Sequence, residues 1–358
     1  MAEGDSRPMF RVGFALKKEK AQKHIRRELV ECAKTRGIEI VLIDECVPLE
    51  DQGPFDAILQ KIRRPEFEQE LEEYAANHPE THVCDPPKAT MLLRNRNDML
   101  NVIPKEGFEI DAPGDVESHV SRVLCDVPTH LVLGCDVGFD EAVNKVNNSG
   151  LAYPMIAKSL WADGRPGSHA IAVVWSVDGL KKLLVPEEHD GSGLRVPVLL
   201  EQYVNHGECL FKVYVLGDQL MMVTRPSLHL DMDESRTARD MEPVSRVSAY
   251  PSSRSWGKGD LAPKGHGVPT PPKWAWESIA RTLQRNLGLT LFNFDLIVPL
   301  HPPTGMDGFV SDQHSGDNVG LLHLIDVNYY PGVEKLPQSE VVICNFLDNL
   351  LNATDSSP

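Results

Sequence analysis

Asp295 in the run LFNFDLIV, and Asp326 with Asn328 in HLIDVNYYPG, are the residues of this chain best suited to hold a cation. Side chains alternate along a strand, so Asp326 and Asn328 leave the same side of one strand while Asp295 sits in a neighbouring apolar strand. A carboxylate inside such a run must be satisfied, because burying it unpaired is very costly. Three hard oxygen donors converging across adjacent strands suit Mg²⁺, with waters and nucleotide phosphates completing its octahedron. A single isolated D-x-N more often caps a strand end. Two such strands, the second ending in Pro331-Gly332, favour the metal.

Lys158 closes the apolar strand YPMIAK and Lys212 opens the strand FKVYV. A lysine facing into a β-layer is expensive unless it meets an anion, and phosphate is the usual one; the plainer alternative is a stem that snorkels to water. Between Lys158 and His169 lies SLWADGRPGS, where Gly164 and Gly167 allow backbone amides to turn toward a phosphate. Neither a P-loop nor a dinucleotide-binding glycine fingerprint is present. The segment KKEKAQKHIRR (17–27) packs six Lys/Arg into eleven residues. Lys20 lies near the start of a helix, where amides and dipole favour anions, and Lys61 ends the third strand. Ligands of open α/β sheets gather at the carboxyl ends of strands, so Lys20 and Lys61 are candidates to converge there; a solvated helix face is the competing reading.

The elements that must position these residues follow from periodicity. RVGFAL (11–16), IEIVLID (38–44), FDAILQKI (55–62) and THVCDPP (81–87) read as strands, with helices from about 20 to 36 and over 66–77. This alternation predicts an open α/β sheet for about the first 95 residues. Helical 96–103 begins a second region, with strands YPMIAKSL (153–160), HAIAVVWS (169–176) and VPVLLEQYV (196–204). In the third, two β-rich runs of 211–228 meet at Gly217-Asp218, a good hairpin turn, and helix 274–287 precedes strands 291–300 and 321–331. Residues 229–272 and 301–320 read as long polar excursions.

Composition narrows the class. The chain has 358 residues, 41% hydrophobic and 25% charged, which suits two or three globular domains. No apolar run approaches the length of a membrane span, and MAEGDSRPMF has no signal-peptide pattern, so a cytoplasmic protein, with the nucleus as the alternative, is expected. Seven scattered cysteines without a C-x-x-C pair argue against a disulfide framework or zinc site. The net charge of −16 disfavours nucleic acid and anionic membranes, so a polyphosphate ligand requires basic residues concentrated locally.

Taken in order, GFAL (13–16), EDQGPFD (50–56), HPET (78–81), VCDPP (83–87), SH (168–169), VNH (204–206), FKVYVLG (211–217), RPSL (225–228), LFNFD (291–295) and DVNYYPG (326–332) resemble the inositol 1,3,4-trisphosphate 5/6-kinase family, also called inositol-tetrakisphosphate 1-kinases, and its plant-type members in particular. The resemblance runs from about residue 11 to 350. It implies an α/β ATP-grasp fold: an N-terminal open α/β domain (1–95) on the inositol-phosphate side, and central (96–205) and C-terminal (206–358) α+β domains that clamp ATP.

By the same resemblance Asp295, Asp326 and Asn328 match magnesium ligands, with two Mg²⁺ ions expected. Arg96 and Lys158 match ATP-phosphate contacts, and the hinge Glu201, Gln202, Tyr203, Val204 to Lys212 lines the adenine. Ser227, Ser245 and Ser248 match further nucleotide contacts. Lys20, Lys61, His169, Lys212, Asn328 and Gly332 match inositol-phosphate contacts, and Lys158, His169, Lys212 and Asp295 form the expected catalytic group. The hinge reads Leu-Glu-Gln-Tyr where the family usually has glutamine first, and KKEK leaves Lys18 as an alternative to Lys20.

The implied activity is Mg-dependent, in-line transfer of the ATP γ-phosphate to an inositol polyphosphate: the 5- or 6-hydroxyl of the 1,3,4-trisphosphate, or the 1-hydroxyl of the 3,4,5,6-tetrakisphosphate. A role in phytate or inositol pyrophosphate synthesis is compatible, and a monomer without nucleic-acid or membrane partners is expected. A carboxylate–amine ligase and a non-catalytic ATP- or inositol-phosphate-binding module are the competing readings.

Overall fold

The structure, a computed structural model, describes residues 10–114, 120–185, 192–228, 230, 240–244, 268–301 and 319–352. Strands β1 (Phe10–Ala15), β2 (Ile38–Leu42), β3 (Ala57–Gln60) and β4 (His82–Cys84) form a parallel sheet of order β2-β1-β3-β4. Phe67, Leu71 and Tyr74 of helix Pro65–Asn77 are buried against it at the i, i+4, i+7 spacing of one helical face. The strand–helix alternation expected for this region is therefore present.

One expected element divides. The helix read from 20 to 36 is two, Lys18–His24 and Arg27–Thr35. Arg26 between them is extended, at φ −84° and ψ 160°, and its Nη2 donates to Ser339 Oγ at 2.6 Å. The short first helix turns Ala21 and His24 inward. Local periodicity over 20–36 has no means of registering that tertiary bond.

Beyond β4 the strands are β5 (Phe108–Asp111), β6 (Arg122–Asp126), β7 (His130–Leu133), β8 (Met155–Ser159), β9 (Ile171–Val174), β10 (Val198–Gln202), β11 (Cys209–Leu216), β12 (Gln219–Pro226), β13 (Met241–Pro243), β14 (Leu291–Ile297) and β15 (Val319–Tyr329). They form a five-stranded sheet, β13-β9-β8-β10-β7, and a six-stranded sheet, β12-β11-β14-β15-β6-β5. Strands β5 and β6 precede the five-stranded sheet in sequence yet pair into the six-stranded one, with β6 parallel to β15. These two strands went unread in the sequence, because they are short and flanked by polar loops.

One face of the six-stranded sheet is packed into the core. Phe211, Val213 and Val215 of β11, Phe292, Phe294 and Leu296 of β14, and Leu322, Leu324 and Val327 of β15 are buried in one core with Ala275, Ile279, Ala280 and Leu283 of helix Lys273–Leu287. That helix starts directly after Pro272 and stops at Gly288, whose φ of +64° only a glycine adopts without strain. The β11–β12 hairpin pairs Leu216 with Gln219 across Gly217-Asp218, with Gly217 at φ +57°, as the turn chemistry predicts. The opposite face of the sheet carries polar side chains toward the five-stranded sheet.

Candidate active site

Strand register assembles the polar face. Lys212 lies opposite Asp295, which lies opposite Asp326; one pleat along, Tyr214 lies opposite Asn293, which lies opposite Asn328. A bulge in β15 makes this possible. Asp295 pairs with Asp326 and Leu296 with Leu324, leaving Ile325 as the extra residue. Before the bulge Leu322 and Leu324 are buried, and after it Val327 and Tyr329 are. Without the extra residue, His323 and Asp326, three positions apart, would point to opposite faces. The bulge returns Asp326 and Asn328 to the side that faces the cleft.

The contacts there are dense. Lys212 Nζ donates to Asn293 Oδ1 at 3.0 Å and makes a very short bond to Asp295 Oδ1. Arg96 Nη1 reaches Asp326 Oδ1 at 2.8 Å, and Asn328 Nδ2 donates to Asp326 Oδ2 at 2.7 Å. Arg96 also binds the carbonyls of Ser159 (3.0 Å) and Ser168 (3.3 Å), tying the two ends of the glycine-bearing loop to the carboxylates. Lys158 Nζ sits 2.7 Å from Glu201 Oε1 and 3.3 Å from the carbonyl of the bulge residue Ile325, so it spans from the five-stranded to the six-stranded sheet.

The two carboxylates respond oppositely to burial. For Asp295, desolvation is the largest influence and raises the pKa; the nearby Asp326 charge adds to it, and Lys212 offsets only part. Desolvation is also the largest single influence on Asp326, but Arg96, Lys158, Asn328 and Lys212 together outweigh it and lower the pKa. Burial is the largest single influence on Lys212 and opposes its charge, but the charge and hydrogen bond of Asp295, with Asp326 and Tyr214, together outweigh it and raise the pKa. Two facing carboxylates, one of them uncomfortable as an anion, with two side-chain amides beside them, fit a hard divalent cation. Among the described residues no three His, Cys, Asp or Glu side chains cluster closely enough to hold a metal alone.

The hinge residues divide in role. Glu201 is 4% exposed; its Oε1 is taken by Lys158 and its Oε2 has no hydrogen-bond partner. Gln202 instead faces the helix end at Ala152, accepting from its amide at 2.8 Å. His206 Nδ1 lies 2.7 Å from the Val204 carbonyl, which can only accept, so Nδ1 carries the proton and Nε2 accepts from Ser227 Oγ at 2.7 Å. Burial lowers the His206 pKa, in keeping with this neutral form. Ser227 is thereby held against the hinge. Ser245 and Ser248 lie outside the described residues.

On the N-terminal side, Lys61 Nζ donates to the Tyr330 carbonyl at 2.7 Å and lies 5.2 Å from the centre of its ring. Burial, then the charges of Lys20 and Arg63, push its pKa down to about 8. Lys20 is exposed, as is His169 in the glycine-bearing loop. Gly332 follows Tyr330 in the turn after β15, where a Cβ would stand 3.2 Å from Glu334 Oε1. Asn293 escaped the sequence reading, although its alternation with Asp295 signals a shared face. Asp85 also escaped it. Its carboxylate accepts from the amides of Thr290 and Leu291, at 3.0 Å each, and its own amide donates to Tyr329 Oη at 2.6 Å, joining the N-terminal sheet to β14 and β15.

Two lysines, an arginine and paired carboxylates meet where the five-stranded sheet faces the six-stranded one, the arrangement of an ATP-grasp protein. Solved structures agree on the fold: the ATP-grasp ligase PsnB complexed with minimal precursor (TM-score 0.53, 12% identity, 96% of this chain and 99% of that one) and D-alanyl-alanine synthetase A from Vibrio cholerae (0.51, 13%, 97% and 98%). Residues 11–90 match the pre-ATP-grasp domain of inositol 1,3,4-trisphosphate 5/6-kinase, and residues 118–349 match its ATP-grasp domain. Among curated relatives, inositol-tetrakisphosphate 1-kinase 5 of Oryza sativa subsp. japonica is 33% identical over 98% of this chain and 93% of its own length. Inositol-tetrakisphosphate 1-kinase 3 of Arabidopsis thaliana is 34% identical over 94% and 83%. The chain belongs to the inositol 1,3,4-trisphosphate 5/6-kinase family, and is an ATP-dependent inositol polyphosphate kinase. Among its described residues no helix is long and apolar enough to cross a membrane.

Proposed function

We propose that ATP binds between the five- and six-stranded sheets and that its γ-phosphate passes in line to a hydroxyl of an inositol polyphosphate held against the N-terminal sheet. The observation that carries this reading is the row Lys212–Asp295–Asp326, met by Arg96 and Lys158 from one side and neighboured by Lys61 on the other. Phosphoryl transfer has a loose transition state, so positioning and charge neutralisation do most of the work. Asp295, Asp326 and Asn328 would hold Mg²⁺, as one ion or two, which would supply neutralisation of the transferring phosphate's charge.

The protein's own groups do the rest. Lys158 and Arg96 bind phosphate oxygens of the nucleotide. Lys212 places its ammonium on the metal row, between donor and acceptor. The open Oε2 of Glu201 accepts from the adenine 6-amino group, with the Tyr203–Val204 backbone beside it. Lys20, Lys61, His169, Asn328 and Gly332 hold the acceptor. Lys61 has no carboxylate at ion-pair distance among the described residues, which favours a phosphate-rich acceptor over the amino acid of a ligase. In this reading residues 1–95 form the acceptor side, and 96–205 and 206–358 the clamp. The acceptor positions are the 5-, 6- or 1-hydroxyl that the relatives' names imply. All seven cysteines are free, which suits a reducing, cytoplasmic setting.

The test is labelled ATP with a panel of inositol tris-, tetrakis-, pentakis- and hexakisphosphates, products resolved by position. Asp295→Asn is expected to lower kcat by at least about a hundredfold while the melting temperature stays within a few degrees. Near-normal kcat in that variant removes the metal assignment. Amine-dependent release of free phosphate points instead to a ligase, and binding without ADP to a non-catalytic module.

A further inference from the structure

Arg63 follows Lys61 by two residues, just past the carboxyl end of β3. Ile62 between them is 1% exposed in the N-terminal core, so the backbone is anchored while the two cations flank it. Arg63 Nη1 donates to the carbonyl of Ala162, in the glycine-bearing loop, at 2.9 Å. Among the described residues this is its one hydrogen bond, and no carboxylate stands at ion-pair distance from it. The nearby arginines differ: Arg64 pairs with Glu45 and Glu66, and Arg94 with Glu68. The carboxylate of Asp163, next in the loop, is occupied by three bonds from the Arg165 side chain and one from its backbone amide.

A guanidinium offers five N–H donors in a fixed fork, and burying one without an anion is unfavourable. Burial, and then the charge of Arg94, lower the Arg63 pKa, while Asp163 opposes only in part. Lys61, whose own bond goes to a carbonyl, feels the Arg63 charge. Two half-buried cations thus adjoin each other with no carboxylate at ion-pair distance among the described residues, at the root of the loop that leads to His169. The Ala162 bond aims the fork across the gap between the N-terminal sheet and that loop.

We infer that Arg63, together with Lys61, binds a phosphate group of the acceptor at the border between the N-terminal sheet and the glycine-bearing loop. The inference rests on the kinase reading and extends it: an acceptor carrying a phosphate at this edge is selected over one with a free hydroxyl there. A planar fork matches two phosphate oxygens at once, which a lysine at the same place cannot do.

The experiment measures KM for ATP and for inositol tris- and tetrakisphosphate acceptors in the wild-type enzyme, Arg63→Gln and Arg63→Lys. Loss of a charge-assisted bond predicts that Arg63→Gln raises the acceptor KM about tenfold or more while the ATP KM stays within about twofold, and that Arg63→Lys recovers part of the loss. An unchanged acceptor KM overturns the inference. A parallel rise in both KM values, unrescued by lysine, overturns it too, because Arg63 then merely supports the loop. Should Arg63→Gln fail to fold, arginine-directed dicarbonyl labelling of the wild-type protein decides: saturating acceptor must protect Arg63 and ATP alone must not. If the wild-type enzyme phosphorylates none of the acceptors, the kinase reading has failed rather than the assignment of Arg63.

Discussion

Replacing Lys61 with methionine should stabilise the ligand-free protein while removing acceptor affinity. Methionine matches the length of the lysine stem and removes only the charge and its donors. The ammonium's pKa falls from its ordinary 10.5 to about 8, through burial first and then the charges of Lys20 and Arg63. That gap corresponds to about 3 kcal/mol by which the folded protein disfavours the charged form at neutral pH. Methionine also forfeits the hydrogen bond to the Tyr330 carbonyl, worth about 1 kcal/mol. The variant should therefore be more stable by about 2 kcal/mol at pH 7.

The pH dependence provides the control. From about pH 8 to 10.5 the unfolded chain holds the Lys61 proton and the folded chain does not, so the wild type gains stability as pH rises through that window. Lys61→Met lacks this gain, and its advantage should shrink toward zero by about pH 10. Urea denaturation of both proteins without ligand, at pH 7 and again near the top of the window, measures it. A second readout is the rise in melting temperature on adding inositol hexakisphosphate, present in the wild type and absent in the variant. A variant less stable than wild type at pH 7, or an advantage equal at both pH values, refutes the reasoning.

Two further outcomes follow from buried groups. Burial, followed by the charges of Lys61, Lys20 and Lys23, outweighs Glu334 and lowers the His24 pKa to about 4, so the folded state holds His24 neutral. Stability is then lost as pH falls from about 6.5 toward 4, and His24→Phe should lessen that loss in urea titrations at pH 7 and pH 4.5. Asp85→Ala deprives the buried amide of Leu291 of its acceptor and should cost about 1–3 kcal/mol, read as a lower melting temperature; an unchanged melting temperature would show that the Asp85 bonds do not hold the N-terminal sheet to β14.

Much of the chemistry was legible from residue types and spacing alone. A carboxylate such as Asp295 within an apolar run must be satisfied wherever the strand lies, and strand alternation places Asp326 with Asn328 whatever the fold. The β-α alternation before residue 95 and the Gly217-Asp218 hairpin are equally local, set by periodicity and turn chemistry. Other features depend on partners distant in sequence. The break at Arg26 answers to Ser339, and the joining of β6 to β15 is a pairing about two hundred residues apart. The bulge at Ile325 decides whether Asp326 meets Asp295 at all. Arg63 reads as an ordinary surface cation in a line of sequence, and Lys61 stands out there only for ending a strand and for the family resemblance. Tertiary packing alone buries them without anions, because burial and the absence of a neighbour belong to three-dimensional arrangement and leave no trace in local pattern.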